Sequence, residues 1–303
     1  MRNVVVLVAH GTVSSLEDLG AFVQEIRQGR PAPPSLIQEL RERYERVGGS
    51  PLLALTEKLA LAVGQETGLE TRVAMRLWEP RLRDVVSDLS ASDNLVLVPL
   101  APFSIEVYRA AAEKELKTLE HPPRLRVVEA YATSPTLIAA WCDSIEPILR
   151  ESSGRVAEGR AVLLQSAHSL PQFVIDRGDR YEVTFREAAA LVRAELERRA
   201  VPFDAELSQV VFQSQGAMDG AWLGPALATT LEVLRERGAK QVSVLPMGFL
   251  SEHIETLYDL DIEARAQAEK LGLGFSRAGA LNDRKGLVQA ISTAIFQALG
   301  SLE

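Results

Sequence analysis

An α/β protein with two similar parallel sheets is what three features of this 303-residue sequence predict. Short β-branched runs alternate with amphipathic helical stretches from end to end, which implies right-handed crossovers and parallel strands. The two halves open alike, each with an apolar strand running into Ala9-His10-Gly11 or Ala167-His168-Ser169, and read as a duplication. Apolar residues make up 47% of the chain, enough to bury a core in each half. The expected architecture is two similar Rossmann-like domains, each an about four-stranded parallel sheet flanked by helices, with a central cleft. The domains are expected at 1–152 and 153–303, with the last helix, 285–299, free to pack back on the first.

Each element has a local reason. Asn3–Ala9, NVVVLVA, is a continuous β-branched run, the mark of a parallel strand covered on both faces. A helix is predicted over 16–28, followed by a proline-rich loop. The charged amphipathic stretch 36–47 is a second helix, stopped by Gly48-Gly49. Ser50 is placed to cap a third helix, with Pro51 at its first position, where the fixed φ of proline fits. That helix runs to about residue 66. Residues 71–77 form the second strand, and Trp78-Glu79-Pro80 opens a helix to about residue 89. A third strand over 94–98 leads through Pro99 and Ser104 into a helix over 105–119. The fourth strand is 124–130, then comes a helix over 135–150. The polar stretch 151–159 reads as the link between halves. In the second half, strands fall at 161–165, 208–213, 241–246 and 274–277. Helices fall near 182–199, 224–237, 252–271 and 285–299.

Composition excludes several classes. The net charge of −8 argues against a broad nucleic-acid surface, which needs cations to displace counterions. With the single cysteine Cys142 there is no intrachain disulfide and no iron–sulfur cluster held by this chain alone, since such clusters take about four thiolates. The apolar run before His10 is too short for a signal peptide, and no apolar stretch reaches the ~18 residues of a membrane span. A cytoplasmic monomer without membrane insertion is expected.

Three stretches carry chemistry. In an open α/β sheet, ligands collect past the carboxyl ends of the strands, where His168 lies in Ser166-Ala167-His168-Ser169-Leu170-Pro171. A histidine there either packs as an ordinary loop residue or ligates a metal and moves a proton near neutral pH. In SEHIETLYDLDIE, Glu255, Asp259 and Glu263 stand at i, i+4 and i+8, on one face of a helix. They form either a solvated acidic face or a stripe of carboxylates for delivering a cation or exporting protons. In FQSQGAMDGAWLGP, Gln213, Ser214 and Gln215 are polar residues at a strand end, and Trp222-Leu223-Gly224-Pro225 starts a helix. In the first half, Arg27, Arg30, Ser50 and Tyr108 could hold acidic substituents, arginine being suited to bidentate carboxylate capture.

Taken together, the SAHSLP segment, Arg177-Gly178-Asp179, Gln213-Ser214, Trp222-Leu223-Gly224-Pro225 and the segment from Ser251 to Asp259 resemble the signatures of ferrochelatases. These enzymes insert ferrous iron into a porphyrin to complete haem. The resemblance covers nearly the whole chain. Its first half is similar to the short soluble bacterial branch, in which several enzymes use coproporphyrin III. The resemblance implies that His168 is the proton acceptor or metal ligand and Glu255 its partner. It implies that Asp259 and Glu263 form an acidic ladder able to bind a second divalent cation such as Mg2+. Arg27, Arg30, Ser50 and Tyr108 match positions that hold propionates, and Gln213, Ser214 and Trp222 complete the substrate set. Fe2+ is then the substrate metal and the porphyrin the organic partner. Coproporphyrin III is favoured over protoporphyrin IX because its four propionates suit a polar site.

There are departures from that pattern. His10 stands where the soluble branch usually has a tyrosine that can touch product iron. Ala9-His10-Gly11 instead resembles the opening of the cobalt and nickel chelatases of sirohydrochlorin, whose histidine binds metal. His10 is therefore expected to bind metal or substrate, and a cobalt or nickel chelatase of sirohydrochlorin is the alternative enzyme. Leu77-Trp78 replaces a basic or histidine pair, and Gln28 replaces a second arginine. The alternative of another class is a metal or haem carrier, which would bind stoichiometrically where an enzyme turns over.

Overall fold

The computed structural model describes residues 2–129, 131–154, 161–216 and 220–300. Two compact units divide it. The first comprises the chain up to Tyr131, Ser251–Ile254 and the segment from Asn282 onward; the second comprises Ala132–Leu250 and Glu255–Leu281.

In the first unit the β-branched run forms β1 (Asn3–Ala9), buried from Val4 to Ala9. It is flanked by β2 (Glu70–Met75) and β3 (Asn94–Pro99), with β4 (Arg124–Val127) outside β3. All pairs are parallel, with Val5 opposite Thr71 and Val96. The helices are α1 (Leu19–Ile26), α2 (Pro34–Val47), α3 (Leu52–Thr67), the single turn α4 (Leu82–Val85) and α5 (Ile105–Leu116). Val4, Val6, Leu95 and Leu97 pack with Leu82, Val86, Ala112 and Leu116 in one core. Full burial of each large aliphatic side chain contributes about 1.5–3 kcal/mol. Gly48 ends α2 at φ 85°, in the left-handed region where a side chain is disfavoured, and its N–H closes on the Tyr44 carbonyl.

The second unit repeats the plan. Its strands are β5 (Val162–His168), β6 (Gln209–Gln213), β7 (Gln241–Leu245) and β8 (Gly274–Arg277), all parallel in the order β6-β5-β7-β8. The first sheet has the same order, β2-β1-β3-β4. Around the second sheet run α6 (Pro135–Gly154), α7 (Gln172–Asp176), α8 (Tyr181–Arg198) and α9 (Leu227–Glu236). A π-helix (Thr256–Ala264) then continues into α10 (Arg265–Lys270).

Several expectations need correction. The units part after Tyr131, not at residue 152. Leu137, Trp141, Ile145 and Leu149 make a stripe at every fourth residue of α6, each at most 1% exposed. That stripe belongs to a helix packed on α8, β7 and β8. The expected link 151–159 therefore begins inside α6, and its residues from 155 on lie outside the described segments. The last helix, α11 (Lys285–Gly300), packs against α3 and β3 of the first unit. The helix expected from Trp78 to residue 89 shrinks to α4, and the one expected from Gly224 starts at Leu227. The fourth strand stops at Val127. Ser50 caps nothing: its buried hydroxyl has no hydrogen-bond partner, and Pro51 precedes the first residue of α3.

Candidate active site

The site grows from the carboxyl edge of the second sheet. Strand β5 is fully buried as far as Ala167 and delivers His168, half-buried, at its last position. The turn behind it is pinned. The Ser169 N–H donates to the Gln213 carbonyl at 2.7 Å and the Ser169 hydroxyl to the Leu223 carbonyl at 2.9 Å. The Tyr181 hydroxyl donates to the His168 carbonyl at 2.9 Å. Burial, then the Glu255 charge, raises the Tyr181 phenol, so it stays a protonated donor.

These bonds fix the backbone; a further bond fixes the proton. His168 Nδ1 lies 2.5 Å from the Ser169 carbonyl, which can only accept, so Nδ1 carries the hydrogen. In the neutral imidazole the lone pair is then on Nε2, which stands 3.7 Å from Glu255 Oε2. Burial alone would make His168 less basic. The Glu255 carboxylate, the Ser169 carbonyl and Asp259 outweigh it, so the imidazole is more basic than an ordinary histidine. It is equipped to take a proton or offer a lone pair at Nε2 and to hold the resulting cation against a carboxylate.

Glu255 opens the acidic row. Asp259 is buried and accepts a hydrogen bond from the Ser214 hydroxyl. Ser214 holds φ 59°, a left-handed conformation unusual for serine, that aims this hydroxyl. Glu263 reaches the surface. Asp261, between them, is engaged otherwise, gripped by Arg277 at 2.8 Å and 2.5 Å. Asp259 and Glu263 lie in a π-helix that Glu255 directly precedes, and such helices are rare and concentrated at functional sites. Gln213 is the register partner of His168, with both amide atoms buried and without a hydrogen bond. Trp222 is half-buried and bridges to Pro171. Among the described residues no three His, Cys, Asp or Glu side chains converge to hold a metal ion.

The first unit presents a different set. His10 is exposed at the end of β1, and Arg76 Nη2 donates to its Nδ1 at 3.2 Å. The Arg76 guanidinium lies over the Tyr108 ring, 5.5 Å from its centroid. Tyr108 belongs to the core, and burial raises its phenol against the pull of Arg76. Arg27 and Arg30 sit in the loop before α2, where Arg27 Nε donates to the Pro31 carbonyl and Arg30 Nε to the Arg27 carbonyl. A cavity of about 590 Å3 lies in this unit, lined by Ser14, Asp18, Leu53, Trp78, Glu79 and Pro80. Arg76 is absent from the residues expected from sequence, although its position signals it: it directly follows the last residue of β2, at the ligand-binding end of the sheet.

Two matching four-stranded parallel sheets, one carrying an imidazole beside a carboxylate at its strand edge, define an α/β protein of two like units. The fold matches the structure of CbiX, the terminal enzyme of siroheme biosynthesis in denitrifying bacteria. That match has a TM-score of 0.55 at 18% identity over 98% of this chain and 99% of that one. The ferrochelatase family model matches residues 2–299. The coproporphyrin III ferrochelatase of Anoxybacillus flavithermus is 34% identical over 310 residues, 97% of this chain and 95% of that protein. The ferrochelatase of Acidobacterium capsulatum is 31% identical over 326 residues, 100% of this chain and 96% of that protein. The chain belongs to the ferrochelatase family. It is an enzyme that inserts ferrous iron into a porphyrin in haem biosynthesis, and the carrier and sirohydrochlorin alternatives give way to that reading. Among the described residues no helix is long and apolar enough to cross a membrane.

Proposed function

We propose that the porphyrin is coproporphyrin III, that His168 takes its pyrrole protons and that Glu255 is the partner of His168. The carrying observation is the fixed proton of His168: Nδ1–H is committed to the Ser169 carbonyl, and Nε2 offers its lone pair beside Glu255. Insertion replaces two pyrrole N–H protons by one Fe2+, so two protons must leave the site for each metal that enters. His168 accepts at Nε2, and the carboxylate beside it stabilises the imidazolium. Asp259 and Glu263 continue the acidic row outward and give protons a path of carboxylates to water. Imidazole and carboxylate are also a suitable first ligand set for the arriving ferrous ion. The Mg2+ expected from sequence finds no three converging donors among the described residues.

Two features support the choice of ring. Relatives at 34% and 28% identity are named coproporphyrin III ferrochelatases. The first unit also offers Arg27, Arg30 and the unpartnered Ser50 hydroxyl as groups for carboxylates. The test is an anaerobic insertion assay with Fe2+, offering coproporphyrin III and protoporphyrin IX separately and following porphyrin absorbance through many turnovers. The expected result is a kcat/KM at least about tenfold higher for coproporphyrin III, equivalent to about 1.4 kcal/mol. Equal or reversed preference overturns the choice of ring.

A further inference from the structure

The two strand-end histidines hold their protons oppositely. We infer that Arg76 is a positioning residue that holds the ring hydrogen of His10 on Nε2, so that His10 meets the substrate as a hydrogen-bond donor and not as a metal ligand.

A guanidinium carries five N–H donors and no acceptor. Arg76 Nη2 lies 3.2 Å from His10 Nδ1, so Nδ1 must supply the lone pair and the ring hydrogen must sit on Nε2. The pairing is held from several sides. The Arg76 N–H donates to the Ala9 carbonyl at 2.9 Å and the Leu77 N–H to the His10 carbonyl at 3.0 Å, which ties the two backbones together. The guanidinium rests on the buried Tyr108 ring, and its Nε is buried without a partner of its own. Arg76 therefore has little freedom to turn away.

A metal-ligating histidine needs the reverse arrangement. Its ligating nitrogen offers a lone pair while the other ring N–H donates to a carboxylate, carbonyl or water. His168 has that arrangement, with Nδ1–H on the Ser169 carbonyl. His10 has a cation where that acceptor would be, and its second ring nitrogen carries the hydrogen. Beside a fixed guanidinium, that N–H suits an oxygen acceptor bearing negative charge. The Ala9-His10-Gly11 segment thus keeps the residue of a metal-binding histidine while Arg76 reverses its polarity.

The first measurement is made on the resting protein and stands apart from the proposed function. Long-range 15N–1H spectra of the imidazoles resolve the two tautomers, and loss of signals in His10→Gln assigns His10 among the 4 histidines. The expected pattern for His10 is protonated Nε2 and unprotonated Nδ1. Arg76→Met should shift it toward the other tautomer, and Arg76→Lys, still a pure donor, should restore it. The remaining histidines report that each variant is folded. Protonated Nδ1 in the wild type, or a pattern indifferent to Arg76→Met, overturns the inference. The second measurement rests on the proposed function and uses the ferric product complex. Its absorption and electron paramagnetic resonance spectra should show no His10-dependent iron ligation in the wild type. Arg76→Met should gain an imidazole-ligated form that vanishes in Arg76→Met/His10→Gln. A wild-type iron signal that depends on His10 overturns the inference.

Discussion

Gly248 makes the position of His168 testable from a distance. It follows β7, and its N–H donates to the Ser166 carbonyl at 3.0 Å. A Cβ added there would lie 2.6 Å from Ala167 Cα, 2.7 Å from Ala167 Cβ and 3.4 Å from the His168 nitrogen. The closest atom is main chain, so no side-chain rotation relieves the clash. Ordinary van der Waals contact begins at 3.4 Å, so Gly248→Ala must push β5 away by about 0.8 Å at the residue before His168. A misplacement of about 1 Å can cost on the order of 10²-fold in rate, and overpacking typically costs about 1–3 kcal/mol. Gly248→Ala should therefore lower iron insertion by on the order of 10²-fold and the thermal midpoint by several degrees, about 2–4 °C per kcal/mol for a unit of this size. The assay is anaerobic insertion, with fluorescence quenching to show that the porphyrin still binds. A variant that inserts iron within about twofold of wild type would refute the reasoning, because the clash would then be absorbed without moving the histidine.

Other changes read other parts of the site. Glu255→Gln removes the charge that makes His168 basic and should slow insertion by about 10²-fold or more with porphyrin binding retained; an unchanged kcat removes Glu255 from proton transfer. Ser50→Ala breaks no bond in the resting protein, so stability should move by no more than about 0.5 kcal/mol. Porphyrin affinity should fall by about tenfold or more, since a hydrogen bond to a charged group contributes about 1.5–3 kcal/mol; unchanged affinity takes Ser50 off the propionates. Gln213→Met replaces two unpaired buried amide atoms and should stabilise the protein by about 1–3 kcal/mol in denaturant melts, while destabilisation would mean that the amide is satisfied in solution. Glu195 accepts hydrogen bonds from Arg198 and Arg199, which lower its pKa from 4.5 to about 2. Its stabilising contribution is thus complete above pH 4.5 and lost as pH falls through about 2. Acid titration of Glu195→Gln should be flatter across that window, and identical acid transitions would contradict the assignment.

Much of this was legible before the structure because parallel strands announce themselves. NVVVLVA and its counterparts are apolar without alternation, and strands covered on both faces require that. Strand edges of an α/β sheet gather ligands, so His168 and the segment after β7 stood out by position. What was hidden depends on three-dimensional packing. The polar stretch 151–159 hid the fact that the stripe of Leu137, Trp141, Ile145 and Leu149 faces the second sheet and not the first. Carboxylates four apart suit a helix of 3.6 residues per turn nearly as well as a wider one, so spacing alone did not reveal the π-helix. Tyr108 read as a group for acidic substituents because its place in the core under Arg76 depends on contacts distant in sequence. Ser50 before Pro51 had the pattern of a cap, yet its hydroxyl turned out to be unspent.

The placement of α11 has a consequence for biosynthesis. The first unit needs this helix against α3 and β3, yet it follows the second unit in the chain. At about 5–20 residues per second, the roughly 150 residues between Tyr131 and Asn282 take about 8–30 s to translate. For that time the face of α3 that α11 will cover stays open to solvent and to chaperones. The second unit meanwhile emerges almost without interruption, broken only by Ser251–Ile254, and can close around its own sheet. The half of the protein that is translated first is the last to be finished.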